Sequence, residues 1–323
     1  MTKKQASLPQ ISNKKDHLSW SDAIEQLYVQ QLNDWPLARN HYHQLEHIER
    51  RTFNFGTFSI DVQHNAARAR STFADLSPRS IEQRPCFLCT ENLPSEQKGL
   101  LLRNSYLLLI NPYPIFDRHL TISDLQHCPQ LIENRIADML SIAKNLEAYT
   151  IFYNGPECGA SAPDHFHFQA VVKKYLPVNA ELKNQQHRLS KQVDEPGVKV
   201  FYGRHSLRDF VLIESEQINE TDRYFRKFVA QLPLKASSPE PGINLLANYE
   251  NGIYQLIIFP RKARRPKCFY SQGAEQLLVS PASVELAGIL VTPRKEDFEK
   301  IDKAAIIGIF DDTSLSIETL NLF

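Results

Sequence analysis

PDHFHFQAVV, residues 163–172, places two histidines and a glutamine at alternate positions of an otherwise apolar run. A period of two is typical of a β-strand, because successive side chains point to opposite faces of the sheet. His165, His167 and Gln169 therefore share one face, and the phenylalanines between them share the other. The apolar face is suited to a core, so the histidine face is either a solvated edge or the floor of a site.

The composition restricts the classes of function. The chain has 323 residues, with 37 Lys and Arg balancing 37 Asp and Glu, so its formal net charge is zero. That balance argues against a general nucleic-acid binder and against an anionic-membrane binder. No apolar run approaches the roughly 18 residues that span a bilayer, and the polar start lacks a signal-peptide core. We therefore expect a cytoplasmic protein without nucleic-acid or membrane partners.

The order of the patterns predicts an α+β protein made of two similar halves. Residues 1–16 are polar and are expected to form a disordered tail, and 129–148 have helical spacing. A polar stretch at 182–196 is expected to be a mobile connection. We therefore predict a first half over 17–196, with the chemistry, and a degenerate second half over 197–323.

The second half repeats the strand and helix plan of the first in a weaker form. Its strand IYQLIIFPRK places Tyr254, Leu256 and Ile258 at positions resembling those of the histidine strand, without the histidines. The chemistry is therefore expected in the first half alone.

The cysteines suggest a metal site. The chain has five, an odd number that disfavours a disulfide framework, and Cys86 and Cys89 form a Cys-x-x-Cys pair. A turn follows the pair, whereas a redox pair normally opens a helix. A structural zinc ion needs four N or S ligands, so two must come from elsewhere. His165 is one, and His127 and His119 compete for the other.

His167 is a candidate nucleophile. A histidine held in one tautomer can attack phosphorus, and Gln169 on the same face can donate an amide N–H to a phosphoryl oxygen. The loop before the strand, with Gly159 and Ser161, can offer backbone N–H groups and a hydroxyl to phosphates. The alternative is a set of core histidines that bond to neighbouring carbonyls.

These residues resemble a known family. YNGPECGASAPDHFHFQAVV is similar to the active-site segment of the transferase branch of the histidine-triad superfamily, in which Gln replaces a third histidine. That branch includes the GDP-L-galactose (or GDP-glucose) phosphorylases and galactose-1-phosphate uridylyltransferase. VQHNAARAR, NPYPIFDRHLTI and SPASVELAGILVTPRKEDFE follow the order seen in the GDP-hexose phosphorylases, so the resemblance covers most of the chain.

The resemblance implies a fold and a set of residue roles. The expected fold is two fused histidine-triad-like halves, with antiparallel half-barrel sheets and flanking helices. By resemblance to the uridylyltransferases, the ligands of a structural Zn²⁺ ion are Cys86, Cys89, His127 and His165. His167 matches the nucleophile, Gln169 the phosphate-binding amide and Asn154 the loop asparagine. Ser161 falls one place from the relatives' phosphate-binding serine, and Asp164 stands where they have Pro or Asn.

The implied reaction is nucleotidyl transfer from a nucleoside diphosphate hexose through a nucleotidyl-histidine, with release of hexose 1-phosphate. The acceptor is phosphate or a sugar phosphate, and a homodimer is compatible with the sequence. The alternatives are a hexose-1-phosphate uridylyltransferase, a dinucleoside polyphosphate phosphorylase, or a zinc-stabilised nucleotide-binding protein without turnover. Asn65 and Arg68 are further candidates for binding the nucleotide, and Arg294 and Lys295 for reaching it across the halves.

Overall fold

A large, almost entirely antiparallel sheet forms the centre of the protein. The computed structural model describes residues 11–15, 17–69, 75–185, 189–204, 207–236 and 238–320. The strands are β1 Ile11–Asn13, β2 Arg50–Asn54, β3 Ser59–His64, β4 Gly99–Leu102, β5 Tyr106–Ile110, β6 Leu120–Asp124, β7 Tyr149–Asn154, β8 His167–Val172, β9 Ser190–Glu195, β10 Val198–Gly203, β11 Phe210–Ser215, β12 Ile243–Glu250, β13 Ile253–Pro260 and β14 Ile289–Thr292. Eleven strands form this sheet, in the order β1-β4-β5-β6-β8-β7-β12-β13-β11-β10-β9.

Helices cover the sheet, and a second, smaller sheet lies in the order β14-β3-β2. The α-helices are α1 Trp20–Asp34, α2 Pro36–Gln44, α3 Pro78–Gln83, α4 Ile136–Asn145, α5 Pro177–Gln185, α6 Ile218–Val229, α7 Lys267–Tyr270, α8 Ser283–Leu286, α9 Lys295–Lys300 and α10 Lys303–Thr313. No helix of the described ranges is long and apolar enough to cross a membrane.

The order of elements repeats within the chain. The series β4-β5-β6-α4-β7-β8 is followed by β9-β10-β11-α6-β12-β13, and the strands of each series pair in the same spatial order. The two series meet where β7 pairs antiparallel with β12. The predicted α+β class with two related halves is therefore confirmed, and the halves share one continuous sheet. The predicted boundary at residue 196 falls in the turn between β9 and β10 and stays a prediction.

The two faces of the large sheet pack against different layers. Side chains of α1, α2, α4 and α6 cover one face in a single apolar core. The other face packs against the smaller sheet and against α5, α8, α9 and α10. Phe166 and Phe168 belong to the first core, whereas Val171 belongs to the second with Phe152. His167 and Gln169 alternate with these phenylalanines, so they face the second layer, as the alternation predicted.

Two segments predicted to lack order contain strands. Within the predicted disordered tail, Ile11–Asn13 pairs parallel with Gly99–Leu101. Within the predicted mobile connection, Ser190–Glu195 pairs antiparallel with β10. Both segments are polar because they are edge strands exposed to solvent, which composition does not distinguish from a loop. Residues 1–10, 16 and 186–188 lie outside the described ranges.

The predicted correspondence between β13 and the histidine strand is wrong by one residue. Tyr254, Leu256 and Ile258 point into the core beneath the helices, on the face opposite His167. Ile257 and Phe259 lie on the histidine side instead. Both faces of β13 are apolar because both are covered by other layers. Its sequence therefore does not alternate between polar and apolar residues in a way that shows which side chains face which layer.

Candidate active site and metal cluster

The fold brings two cysteines and two histidines together in front of β8. Ligand atoms of Cys86, Cys89, His127 and His165 all lie within 4.8 Å of one another. Cys86 Sγ is 3.2 Å from His165 Nδ1, and Cys89 Sγ is 3.3 Å from His127 Nδ1. Tetrahedral bonds of about 2.3 Å to sulfur and about 2.0 Å to nitrogen place such atoms about 3.5 Å apart. The cluster therefore has the dimensions of a four-coordinate metal site.

The surroundings prepare these groups for a cation. His165 Nε2 donates to the backbone oxygen of Asp124 at 2.8 Å, which leaves Nδ1 free to bind a metal. Burial, followed by the neighbouring Cys86, raises the pKa of Cys89 to about 12. A bound cation reverses that effect, because it favours the two thiolates.

A partly buried ion pair connects the metal cluster to the residue that precedes the first histidine. Arg84 lies 2.6 Å from Asp164, the residue that departs from the relatives' pattern immediately before the first histidine. Asp164 therefore has a charged partner, Arg84, beside the cysteine pair. His119, the competing ligand, lies elsewhere, since its ring bonds to Gln169 and Ile115.

His167 is oriented by a backbone carbonyl. Its Nδ1 lies 2.9 Å from the oxygen of His165, and a carbonyl can only accept, so Nδ1 carries the proton. Nε2 therefore holds the lone pair, and it bonds to no group in the described ranges. The side chain is 4% exposed, and burial lowers the pKa of His167 to about 4. The imidazole is neutral at pH 7, as a nucleophile needs to be.

A residue that the sequence prediction missed, Gln130, holds the backbone at His167. Its Oε1 accepts from His167 N at 2.7 Å. Its Nε2 donates to the backbone oxygens of His167 and Asn154, each at 3.0 Å. Where β7 and β8 separate, the Gln130 amide thus makes the backbone hydrogen bonds that a neighbouring strand would make. The predicted helix over 129–148 begins only at Ile136, so Gln130 lies in a loop.

Gln169 is oriented by His119. The Nδ1 atom of His119 accepts from the backbone N–H of Ile115, so its Nε2 donates to Gln169 Oε1 at 2.9 Å. Burial, followed by the charge of Arg68, lowers the pKa of His119 to about 3, which keeps the ring neutral. With its oxygen bonded in this way, Gln169 has its NH₂ group left to donate.

Asn154, at the end of β7, connects the site to the second half. Its Oδ1 accepts from Asn244 Nδ2 and from Ser283 N, both at 2.9 Å. Asn244 Oδ1 in turn accepts from the buried Arg261 at 2.5 Å. The NH₂ group of Asn154 has no acceptor among the described residues and is available to a ligand. Ser283 was not predicted, because nothing local relates residues so distant in sequence.

Gly159 allows the β7–β8 loop, residues 155–166, to lie very close to Ala282. Its φ is +105°, and a Cβ atom there would lie 2.4 Å from the Cβ of Ala282. The loop therefore packs against Ala282, immediately before α8. We call residues 280–283 the 280–283 segment. Ser161 lies in the same loop and is half-buried.

The remaining predicted residues have supporting contacts. Asn65 Nδ2 donates to the backbone oxygen of Pro114, and Arg68 donates to that of Tyr113, both in the loop that leads to His119.

Arg294 and Lys295 form ion pairs with Asp297 and Glu49. That these two residues reach the substrate stays a prediction.

Family models match the two parts of the chain separately. A model described as a domain of unknown function (DUF4922) matches residues 27–172. A model described as GDPGP1-like, C-terminal domain, matches residues 204–321. A comparison with curated protein sequences gives no match.

Among solved structures, the fold is similar to that of yeast Ap4A phosphorylase Apa2. One structure of that protein has 14% sequence identity and a TM-score of 0.52, covering 88% of this chain and 97% of the other. Its complex with Ap4A gives the same values. Its complex with AMP gives 15% identity and a TM-score of 0.51, covering 88% and 96%. Together with the GDPGP1-like match, this fold supports a relationship to histidine-triad-like nucleotidyltransferases and phosphorylases.

Proposed function

We propose that the protein transfers a nucleotidyl group from a nucleoside diphosphate hexose through a covalent intermediate on His167. The observation that carries the proposal is the fixed tautomer of this histidine. Its Nδ1–H donates to the oxygen of His165, and its neutral Nε2 is free. The GDPGP1-like match supports a phosphorylase of this class.

The reaction is a double displacement. His167 Nε2 attacks the α-phosphorus, and the bond from that phosphorus to the bridging oxygen breaks. The electron pair leaves with hexose 1-phosphate. Inorganic phosphate or a sugar phosphate then attacks the nucleotidyl-histidine, and the bond between phosphorus and Nε2 breaks.

Gln169 favours transfer between phosphates over other leaving groups. Its NH₂ group donates to a non-bridging oxygen as charge develops on the phosphoryl group. An amide cannot protonate a poor alkoxide leaving group, whereas a phosphate leaves as a stable anion. Asn154 at the end of β7, with Gly159 and Ser161 in the β7–β8 loop, is proposed to bind the substrate phosphates. Asn65 and Arg68 are proposed to bind the nucleotide.

The metal cluster is proposed to hold a structural Zn²⁺ ion. Its donors are two cysteines and two histidines, a common set for structural zinc, and all four ligands come from the protein. When bound, zinc supplies rigidity to the chain on both sides of His165.

The chemistry is assigned to residues 17–196, with a supporting second half over 197–323. A cytoplasmic location fits the free cysteines.

The test is a trapped intermediate. Incubating the protein with a nucleoside diphosphate hexose and no acceptor is expected to leave an acid-labile, base-stable nucleotide adduct on His167. His167→Ala should form no adduct and release no sugar 1-phosphate, and the exposed His43→Ala serves as the control. Absence of the adduct together with turnover by His167→Ala would show that the double displacement is wrong.

The substrate screen should include dinucleoside polyphosphates, because the fold is similar to that of an Ap4A phosphorylase. Release of a nucleoside diphosphate from Ap4A with phosphate, without release of sugar 1-phosphate from any nucleotide sugar, would favour that second function. Nucleotide binding without turnover of any substrate would favour the non-catalytic alternative.

A further inference from the structure

A basic segment of the second half lies against the β7–β8 loop. The segment follows β13 and contains Arg261, Arg264 and Arg265. The guanidinium of Arg261 is 3% exposed and donates to the backbone oxygens of Ala263 and Thr313. These bonds fix the backbone of the segment, so the side chains that follow are presented from a rigid support.

Arg264 is directed at the β7–β8 loop and lacks a counter-charge. Its Nη2 lies 3.4 Å from the backbone oxygen of Ala160, and its Nε is buried without an acceptor in the described part of the chain. Among the described residues no carboxylate forms an ion pair with Arg264, and Glu157 raises its pKa less than Cys158 and Tyr270 do. Burial, followed by the charge of Arg265, lowers that pKa. A partly buried guanidinium whose Nε is buried without a partner is stabilised by an anion.

The loop offers matching donors on either side of Ala160. The backbone N–H groups of Gly159 and Ser161 bond to no acceptor in the described ranges. Backbone N–H groups in a loop with a positive φ can form a concave site for anions. The two free N–H groups here belong to alternate residues, because the N–H of Ala160 between them donates to the oxygen of Gly155 at 3.3 Å. The guanidinium of Arg264 and the two N–H groups thus lie along one short stretch of backbone, residues 159–161.

We propose that Arg264, with the N–H groups of Gly159 and Ser161, binds the phosphate that is not transferred. This assignment rests on the proposed function. In the first step, the site holds the phosphate that leaves with the hexose, and the guanidinium offsets the charge that the bridging oxygen gains. In the second step, the acceptor phosphate occupies the same place and attacks the nucleotidyl-histidine.

The test compares three variants in the full-length protein. Arg264→Ala is expected to raise the KM for inorganic phosphate about 10- to 100-fold, as for the loss of charge-assisted hydrogen bonds. Arg264→Lys should give an intermediate value, because it keeps the charge but not the planar fork. Lys262→Ala, which removes an exposed charge from the same segment, should behave as wild type. Binding of the nucleoside monophosphate should not change in any of the variants.

Direct titration with inorganic phosphate separates this inference from the proposed function. Phosphate binding by the wild type that Arg264→Ala loses would support the anion site, even if no nucleotide sugar is turned over. Equal phosphate binding and an unchanged KM in Arg264→Ala would overturn it. An equal loss of monophosphate affinity would also overturn it, because the arginine would then act on the transferred group or on the fold.

Discussion

Replacing Gln130 with leucine removes three hydrogen bonds that its side chain makes to the backbone of His167 and Asn154. The amide accepts from His167 N at 2.7 Å and donates to the oxygens of His167 and Asn154 at 3.0 Å. Each buried group left unpaired costs about 1–3 kcal/mol, so the loss of stability should be at least about 3 kcal/mol. A shift of His167 by about 1 Å should also slow adduct formation about 100-fold.

The assay pairs urea unfolding with the rate of adduct formation. Gln130→Leu should unfold at a lower urea concentration and form the adduct slowly, whereas the exposed Gln26→Leu should match wild type in both. Wild-type values for Gln130→Leu in both measurements would refute the reasoning.

Gln130→Glu gives a second, pH-dependent check. Its carboxylate keeps the acceptor for His167 N but faces two carbonyl oxygens, which raises the pKa of the new carboxyl above that of the unfolded chain. The stability of Gln130→Glu relative to wild type should therefore be greatest at low pH, where the new carboxyl is protonated. It should be lost as the pH rises through the folded-state pKa of that carboxyl. A deficit that is independent of pH would contradict this account of the bonds.

Three further outcomes are expected. Gln169→Ala should retain its fold and lose about 10²–10³ in the rate of sugar 1-phosphate release, since one preorganised donor is removed. Cys86→Ser should lose bound zinc by elemental analysis and melt at a lower temperature; an unchanged melting temperature in a metal-free variant would count against a structural ion. Because burial lowers the pKa of His167 to about 4, the rate of adduct formation should not fall between pH 8 and pH 5.5, and a titration near 6.5 would indicate a solvated ring.

The histidine face could be predicted because strand geometry alone determines which residues share a face. That relation holds for His167 and Gln169 whatever the rest of the fold. The cysteine pair was likewise visible, but its spacing could not distinguish His127 from His119. Both flank the same strand, and only the path of the chain after β6 brings His127 to the thiols.

The supporting residues could not be predicted, since their partners are distant in sequence. Gln130 acts on a residue 37 positions away, and Arg264 approaches one 104 positions away. Gln130 also lies among residues with helical spacing, which hid the loop. The basic run that contains Arg264 was visible in the sequence, but a charged run by itself is usually solvated surface.

The 280–283 segment has a consequence for synthesis of the protein on the ribosome. Ser283 supplies one of the two donors to Asn154 Oδ1, and it lies 129 residues after that asparagine. At about 5–20 residues per second, translation needs roughly 6–26 s to make this interval. The nascent chain therefore carries Asn154 for that time without the second donor that holds its side chain. If Asn154 binds the substrate as proposed, the site has its final geometry only after Ser283 has left the exit tunnel.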